Sequence, residues 1–428
     1  MIGQRSLPSV LVVALSLLAS ASFGQGAPRF VITPDKANGT YAVGEKIRWS
    51  ITGPVSDGNI CGFKIKRNNQ DVIATGSVTL VDGKGTLEFS GGEPEMLYGE
   101  LTPPNGRGAV FGAAVAPADL KPVVSKPADF DRFWRGKIAD LKKIPENAVV
   151  TDQDSGRPDV NYATIRMDHV NGTHVYGQIA WPKKPGKHPA MLQLQWASPP
   201  YPLQRSWVVD RAAEGWIALN IEPHDVLPTE GPAYYAALPN ALKNYNVVGQ
   251  DDREKSYFVE MYLRDYRGVD YLTERPDWDG KTLLVTGTSM GGQQSLCVAG
   301  LHPRITHVIV EEPAGCDLNA SLHGRQMGYP NFNASDPKVM ETARYVDAVN
   351  FASHIHATTL VAMGYVDNVA PPAGIWTAFN LVRGRKEVAP MPLAPHNNTA
   401  TYEQQKPYFT RNGAWLTALA HGDRVPVP

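Results

Sequence analysis

Ser289 is the residue whose setting most plainly invites chemistry. It lies in Gly287-Thr288-Ser289-Met290-Gly291, after an apolar run (Leu283, Leu284, Val285) that reads as a buried strand. The stretch from Gln293 to Leu301 beyond it reads as a helix. Strand, Gly-x-Ser-x-Gly turn and helix form a nucleophile elbow. The turn strains the serine so that its hydroxyl projects above the sheet, and a Cβ at either glycine would clash with a neighbouring element. A protonated hydroxyl is a poor nucleophile, so it needs a base, and the base needs a third group to hold its tautomer. The expected chemistry is acyl transfer through a serine intermediate.

In an elbow of this kind the partners follow in the order Ser, Asp or Glu, then His. The histidines after Ser289 are His302, His307, His323, His354, His356, His396 and His421. His302 ends the elbow helix, His307 enters a strand, His354 and His356 precede one, and His421 is in the tail. His396 follows the last apparent strand, on a loop at the catalytic end, and is the expected base. Asp367, in Gly364-Tyr-Val-Asp-Asn-Val-Ala-Pro-Pro372, is placed at the same edge and is the expected acid. Glu311 and Glu312, ending the preceding strand, are its competitors.

The N–H of Met290 opens the elbow helix and faces the point where an oxyanion would form. A second donor is expected from the loop after the strand Ala190 to Gln195, at Trp196 or Ala197. Tyr201, Trp207, Tyr365 and Trp196 are expected around the mouth, where aromatic faces can stack on sugar rings.

These residues need a scaffold. From Trp207 onward strands (Ile217 to Ile221, His307 to Glu311, Thr359 to Met363, Val388 to Met391) alternate with helical stretches, notably Tyr257 to Glu274. Tyr162 to Met167 and His174 to Trp181 read as a hairpin around Asn171-Gly172, and Asp129 to Leu141 as a helix. Alternating units imply a mainly parallel sheet with helices on both faces, the α/β-hydrolase fold, whose reacting groups sit at the carboxyl ends of the strands. Residues 30–117 differ: short strands separated by Asn38-Gly39, Asp57-Gly58, Asp82-Gly83 and Pro104-Asn105-Gly106 suggest a small immunoglobulin-like β-sandwich. The expected division is a signal peptide over 1–24, the sandwich over 28–118, a two-proline linker over 119–127 and the catalytic α/β domain over 128–428.

Arg5, the short apolar run Val10 to Leu18 and the small residues Ala19 to Ser22 predict a cleaved export signal, and hence a secreted or periplasmic protein. The 428 residues carry 41 basic and 42 acidic side chains. Nothing in that balance favours nucleic acid or a membrane surface as a partner. Three cysteines (Cys61, Cys297, Cys316) are too few for a disulfide framework in an exported chain. His354-x-His356 is the nearest approach to metal-ligand spacing and reads as incidental, so no metal and no organic cofactor are expected.

Over residues 122–425 the chain resembles the acetyl xylan esterase and cephalosporin C deacetylase family, carbohydrate esterase family 7. The likeness is carried by Lys126-Pro-Ala-Asp-Phe-Asp-Arg-Phe-Trp134, Val175-Tyr-Gly-Gln-Ile-Ala-Trp-Pro182, Tyr266-Arg-Gly-Val-Asp-Tyr-Leu272, the elbow, Glu312-Pro-Ala-Gly-Cys-Asp317 and Asp367-Asn-Val-Ala-Pro-Pro372. The last is the most specific and implies that Asp367 is the family's acid, with Ser289 and His396 its nucleophile and base. Two motifs depart. Ile221-Glu222-Pro223-His224 stands where the family has Arg-Gly-Gln, which makes Glu222 and His224 candidates for the substrate pocket, and Gln195-Trp196-Ala197 stands where His-Gly-Tyr is usual. The resemblance implies a substrate of acetylated carbohydrate and, since family members often form hexamers, raises a homo-oligomer that the extra β-sandwich could block or replace. Two other functions fit the sequence: a related esterase or peptidase acting on a different acyl group, or a carbohydrate-binding protein with an inactive hydrolase domain.

Overall fold

The computed structural model describes residues 30–54 and 59–428. The signal expected over 1–24 and the Asp57-Gly58 turn lie outside them.

Two sheets build the N-terminal region. One has strands β1 (Val31–Pro34), β3 (Lys46–Thr52) and β6 (Lys84–Ser90) in the order β1-β3-β6. The other runs β2-β8-β7-β4-β5, with β2 Thr40–Tyr41, β8 Ala109–Val115, β7 Glu95–Thr102, β4 Ile60–Arg67 and β5 Asp71–Thr79. Along β3 the period of two puts Ile47, Trp49 and Ile51 inward. The Trp49 ring meets Phe111 of the facing sheet edge-on, with centroids 4.9 Å apart, and its indole N–H donates to the Gly112 carbonyl at 3.2 Å. Strands β7 and β8 are not expected from sequence, because glycine and alanine interrupt their β pattern. Packing explains the interruption at Gly99: a Cβ there would stand 2.1 Å from the Phe111 ring.

The rest of the chain is built on one nine-stranded sheet. β9 (Val149–Gln153), β10 (Val160–Asp168) and β11 (His174–Pro182) are antiparallel. β12 (His188–Leu194), β13 (Ile217–Ile221), β14 (Trp278–Thr288), β15 (His307–Glu311), β16 (Thr358–Gly364) and β17 (Lys386–Met391) are parallel. The order is β17-β16-β15-β14-β12-β13-β11-β10-β9. The chain leaves β12 to one side for β13 and returns to its other side for β14. That reversal opens a crevice at the carboxyl ends of β12 and β14, where the oxyanion loop and the elbow both begin.

Separate apolar cores cover the two faces. One includes the Tyr257–Glu274 and Met290–Leu301 helices, and the other the Ser206–Ala213 and Tyr402–Ala420 helices. The Tyr402–Ala420 helix is not expected from sequence, since Pro407 sits near its start. Thr401 and Gln404 close a capping box before the proline, which secures the first turn. Among the described residues no helix is long and apolar enough to cross a membrane.

Candidate active site

β14 delivers the elbow. Ser289 has φ 56° and ψ −117°, a conformation costly for a residue with a side chain, and Met290 begins the helix. The Ser289 N–H donates to the Glu311 carbonyl at 2.9 Å, tying the turn to β15. Close approach explains both glycines. A Cβ on Gly291 would lie 2.3 Å from the Leu194 carbonyl oxygen, and one on Gly287 would lie 2.4 Å from the Gly291 backbone. As the first helical residue, Met290 has an N–H with no intrahelical acceptor.

His396, on the loop after β17, sets Nε2 at 2.9 Å from Ser289 Oγ and Nδ1 at 2.7 Å from Asp367 Oδ2. The other carboxylate oxygen, Oδ1, accepts the N–H groups of Val369 at 2.7 Å and Ala370 at 2.9 Å. With Oδ1 occupied by its own loop, Oδ2 is directed at the imidazole. Nδ1–H then donates to the carboxylate, which leaves Nε2 free to accept from the serine. Asp367 and His396 are both buried.

The competing acids are nearby but differently engaged. Glu311 accepts from Thr288 Oγ1 at 3.0 Å, and burial pushes its carboxyl up to about 7. Glu312 approaches His396 Nδ1 only to 3.5 Å and accepts the Asn397 N–H at 2.5 Å. Burial, with Asp367 and then Glu311 beside it, holds the Glu312 carboxyl well above the usual range. Two like charges so close do not ionise together. The shorter contact to His396 belongs to Asp367, and Glu312, held protonated, supports the loop that follows His396 through the Asn397 N–H.

Across the crevice, the loop after β12 is held from behind. Gln294 Nε2 donates to the Gln195 carbonyl at 2.8 Å. His224 Nε2 donates to the Ala197 carbonyl at 2.5 Å, and His224 Nδ1 accepts from the Tyr257 hydroxyl at 2.7 Å. That pattern requires a neutral ring, and burial pushes the His224 imidazole down to about 4. The peptide between the two pinned carbonyls carries the N–H of Ala197. Gln195 itself is seated by amides: its Oε1 accepts from Asn220 Nδ2 at 2.6 Å, and its Nε2 donates to the Ile221 carbonyl at 2.9 Å. Asn220 accepts from Gln178 Nε2 at 3.1 Å, and Gln178 accepts from the Tyr162 hydroxyl at 3.0 Å.

Not every expected pocket residue reaches the mouth. Trp196 is 47% exposed, and its ring stacks on Tyr201 at 4.5 Å with Trp207 edge-on at 6.3 Å. These three form an aromatic wall. Beside it a cavity of about 290 Å³ is lined by Trp196, Trp207, Gln195, Arg211, Tyr408 and Asn412, and it extends to Gly287 and Thr288 at the end of β14. Tyr365 is a correction: it is fully buried, packed on Gly112, with its hydroxyl 3.2 Å from Thr40 Oγ1. His224 is another, since both its nitrogens are spent behind the oxyanion loop. Glu222 is also buried, and burial drives its carboxyl well above the usual range. It lies below the surface rather than lining an open pocket. His354 pairs with Lys126 and Asp131, and His302 with Asp270, all away from Ser289.

Gln178, Asn220, Gln195, Gln294 and Tyr162 were missed by sequence reasoning. A signal existed in Asn220, an amide inside the otherwise apolar run Ile217-Ala-Leu-Asn-Ile221, because a buried polar side chain must find partners.

Known proteins resemble the chain in the same places. A family model described as acetyl xylan esterase (AXE1) matches residues 118–413. Acetyl esterase Axe7A of Xylanibacter ruminicola is 29% identical over 414 residues, covering 93% of this chain and 94% of that protein. An alignment of that length takes in the N-terminal sandwich. Among solved structures, an acetyl xylan esterase from Paenibacillus sp. R4 matches with a TM-score of 0.59 at 24% identity, over 69% of this chain and 96% of that one. Acetyl xylan esterase 1 from Thermoanaerobacterium sp. JW/SL YS485 matches with 0.57 at 20% identity, over 68% and 95%. Both support the α/β-hydrolase fold of the catalytic region.

Proposed function

The chain belongs to the acetyl xylan esterase family and is a carboxylic ester hydrolase, and we propose that it removes acetyl groups from xylan-type poly- or oligosaccharides through Ser289, His396 and Asp367. The observation that carries the reading is the unbroken relay of 2.9 Å and 2.7 Å from Ser289 through His396 to Asp367, inside the region that the family model matches.

Ser289 Oγ attacks the ester carbonyl carbon while His396 Nε2 takes its proton. The carbonyl π electrons move to oxygen, and the N–H of Met290 together with that of Trp196 or Ala197 receives that oxyanion. Collapse expels the sugar alkoxide, which takes the proton from His396 and leaves acetyl-Ser289. Water, deprotonated by His396, attacks the acetyl carbonyl, and acetate departs as Ser289 regains its proton. Asp367 holds the ring and stabilises the imidazolium that forms in both halves. None of these steps calls for a metal or an organic cofactor. The aromatic wall of Trp196, Tyr201 and Trp207 suits a sugar face.

Export follows from reading residues 1–24 as a cleaved signal, and N-terminal sequencing of the mature protein checks it. The reaction is tested by assaying the native protein and Ser289→Ala on p-nitrophenyl acetate, longer acyl esters and acetylated xylan. The expected result is hydrolysis lost in the variant, and acetyl preferred by the native protein. Equal rates in both proteins would remove Ser289 from the mechanism, and a preference for long acyl chains would remove the acetyl assignment.

A further inference from the structure

The acid loop is held partly by the other half of the molecule. β4 and β5 are joined by a turn in which Asn68 and Asn69 both adopt left-handed backbone, with φ 48° and 61°. Asn68 is fixed to its own sheet, where its N–H donates to the Met96 carbonyl at 2.7 Å and its Oδ1 accepts the Met96 N–H at 2.9 Å. From that anchored turn, Asn69 Nδ2 donates to the backbone carbonyl of Asp367 at 2.8 Å. The Asn68 carbonyl accepts the N–H of Gln326 at 3.0 Å, and Gln326 Nε2 donates to the Asn368 carbonyl at 2.7 Å.

Packing reinforces the contact. Gly112 of β8 lies so close to Tyr365 that a Cβ would stand 2.9 Å from the tyrosine Cβ, and Thr40 meets the tyrosine hydroxyl. Met96 and Ala114 of the sandwich are buried in the apolar core of the catalytic region. The two parts therefore share a core, unlike beads on a tether.

Asp367 has three acceptor oxygens, each with its own task. Oδ1 is fixed by N–H groups of its own loop, Oδ2 meets the base, and the backbone carbonyl is fixed by Asn69. Without that last bond the 367–368 peptide loses a restraint on rotation, and the direction of the side chain turns with it. We propose that the N-terminal sandwich is a built-in brace for the acid loop, with Asn69 as a positioning residue for Asp367. The inference rests on Asp367 being the acid of the proposed esterase.

The test uses the full chain carrying Asn69→Asp or Asn69→Ala, with active serines counted by a fluorophosphonate label and rates expressed per labelled site. Aspartate keeps the side-chain shape and tolerates the left-handed turn but cannot donate as a carboxylate, so Asn69→Asp folds even where alanine does not. Expected is a kcat per labelled serine lower by roughly three- to thirtyfold, more in Asn69→Asp than in Asn69→Ala, with little change in KM. Glu88→Gln, on the other sheet of the sandwich, leaves kcat unchanged. A purely structural contact would instead lower the labelled fraction or the melting temperature and leave kcat per site within about twofold, which overturns the brace. An equal fall in Glu88→Gln also overturns it. A native protein that hydrolyses esters without taking the label overturns the serine mechanism itself, a result distinct from failure of the brace.

Discussion

The two sides of Ser289 are built on different plans. On the proposed acid–base side, His396 touches Ser289 directly and Asp367 touches His396, each through a short bond from one side chain to the next. On the oxyanion side the groups that would meet the substrate are backbone N–H groups, and side chains act one layer behind them. His224 and Gln294 pin the flanking carbonyls, and a buried amide row from Tyr162 to Gln195 seats the loop. A side chain that reacts leaves little freedom in its identity. A backbone peptide can be held in place by many different side chains, so this side can depart from family motifs while the geometry survives.

The largest test of this contrast lies on the acid–base side. Asp367→Asn keeps the shape but donates where the base needs an acceptor, so kcat should fall about ten-thousand-fold. Glu312→Gln, which keeps an acceptor for the Asn397 N–H, should cost less than about tenfold. Steady-state kinetics on p-nitrophenyl acetate measures both, and a reversed order would move the acid to β15. Next comes His224→Phe, which removes the donor to the Ala197 carbonyl. A drop of roughly ten- to a hundredfold in kcat is expected, short of deleting an oxyanion donor outright. If its activity matches the native protein, the side chains behind the loop have no part in catalysis.

These two sides also differed in how far they could be read from sequence. Ser289, His396 and Asp367 were legible because strand ends, chain order and the Asp367-Asn-Val-Ala-Pro-Pro372 run all point to the same loops. The oxyanion support was not, since Gln178 lies in β11, Asn220 in β13 and Gln195 just after β12, and they meet only through the registers of β11 with β13 and β13 with β12. Tyr365 misled for a related reason. An aromatic beside the acid looked like a wall of the mouth, but the sandwich that buries it lies about 250 to 325 residues earlier in the chain. Most strands of the large sheet and the helices Phe130–Lys142, Tyr257–Glu274 and Met290–Leu301 were legible from periodicity. β7, β8, β9 and the Tyr402–Ala420 helix were not, because small residues, an exposed edge and Pro407 hide the patterns on which such readings depend.

A pH series sharpens the comparison further. Burial pushes the imidazoles of His224 and His307 down to about 4, and that of His169 to about 2. The unfolded chain takes up these protons near the ordinary value of 6.5, whereas the folded chain resists until lower pH. At these three sites the unfolded state therefore binds more protons in this window, and their contribution to stability falls as pH drops from about 6.5 towards about 4, while the raised carboxyls of Glu311, Glu312 and Glu222 act in the opposite direction. Thermal melts of the two proteins should show the native protein losing stability relative to His224→Phe as pH drops through this window. Equal slopes would mean that His224 protonates freely in the folded protein. The smallest effect is expected from Tyr162→Phe, at the far end of the amide row: about 1 kcal/mol of stability and a change in kcat of threefold or less.

The central claim is that Ser289 carries the acyl group. Rapid acid quenching during turnover of p-nitrophenyl acetate, followed by peptide mass spectrometry, tests it without relying on a rate. The account predicts an acetyl group on the peptide containing Ser289, absent when Ser289→Ala is treated in the same way. An acetyl group on another residue, or turnover with no acetylated peptide at any quench time, would contradict it.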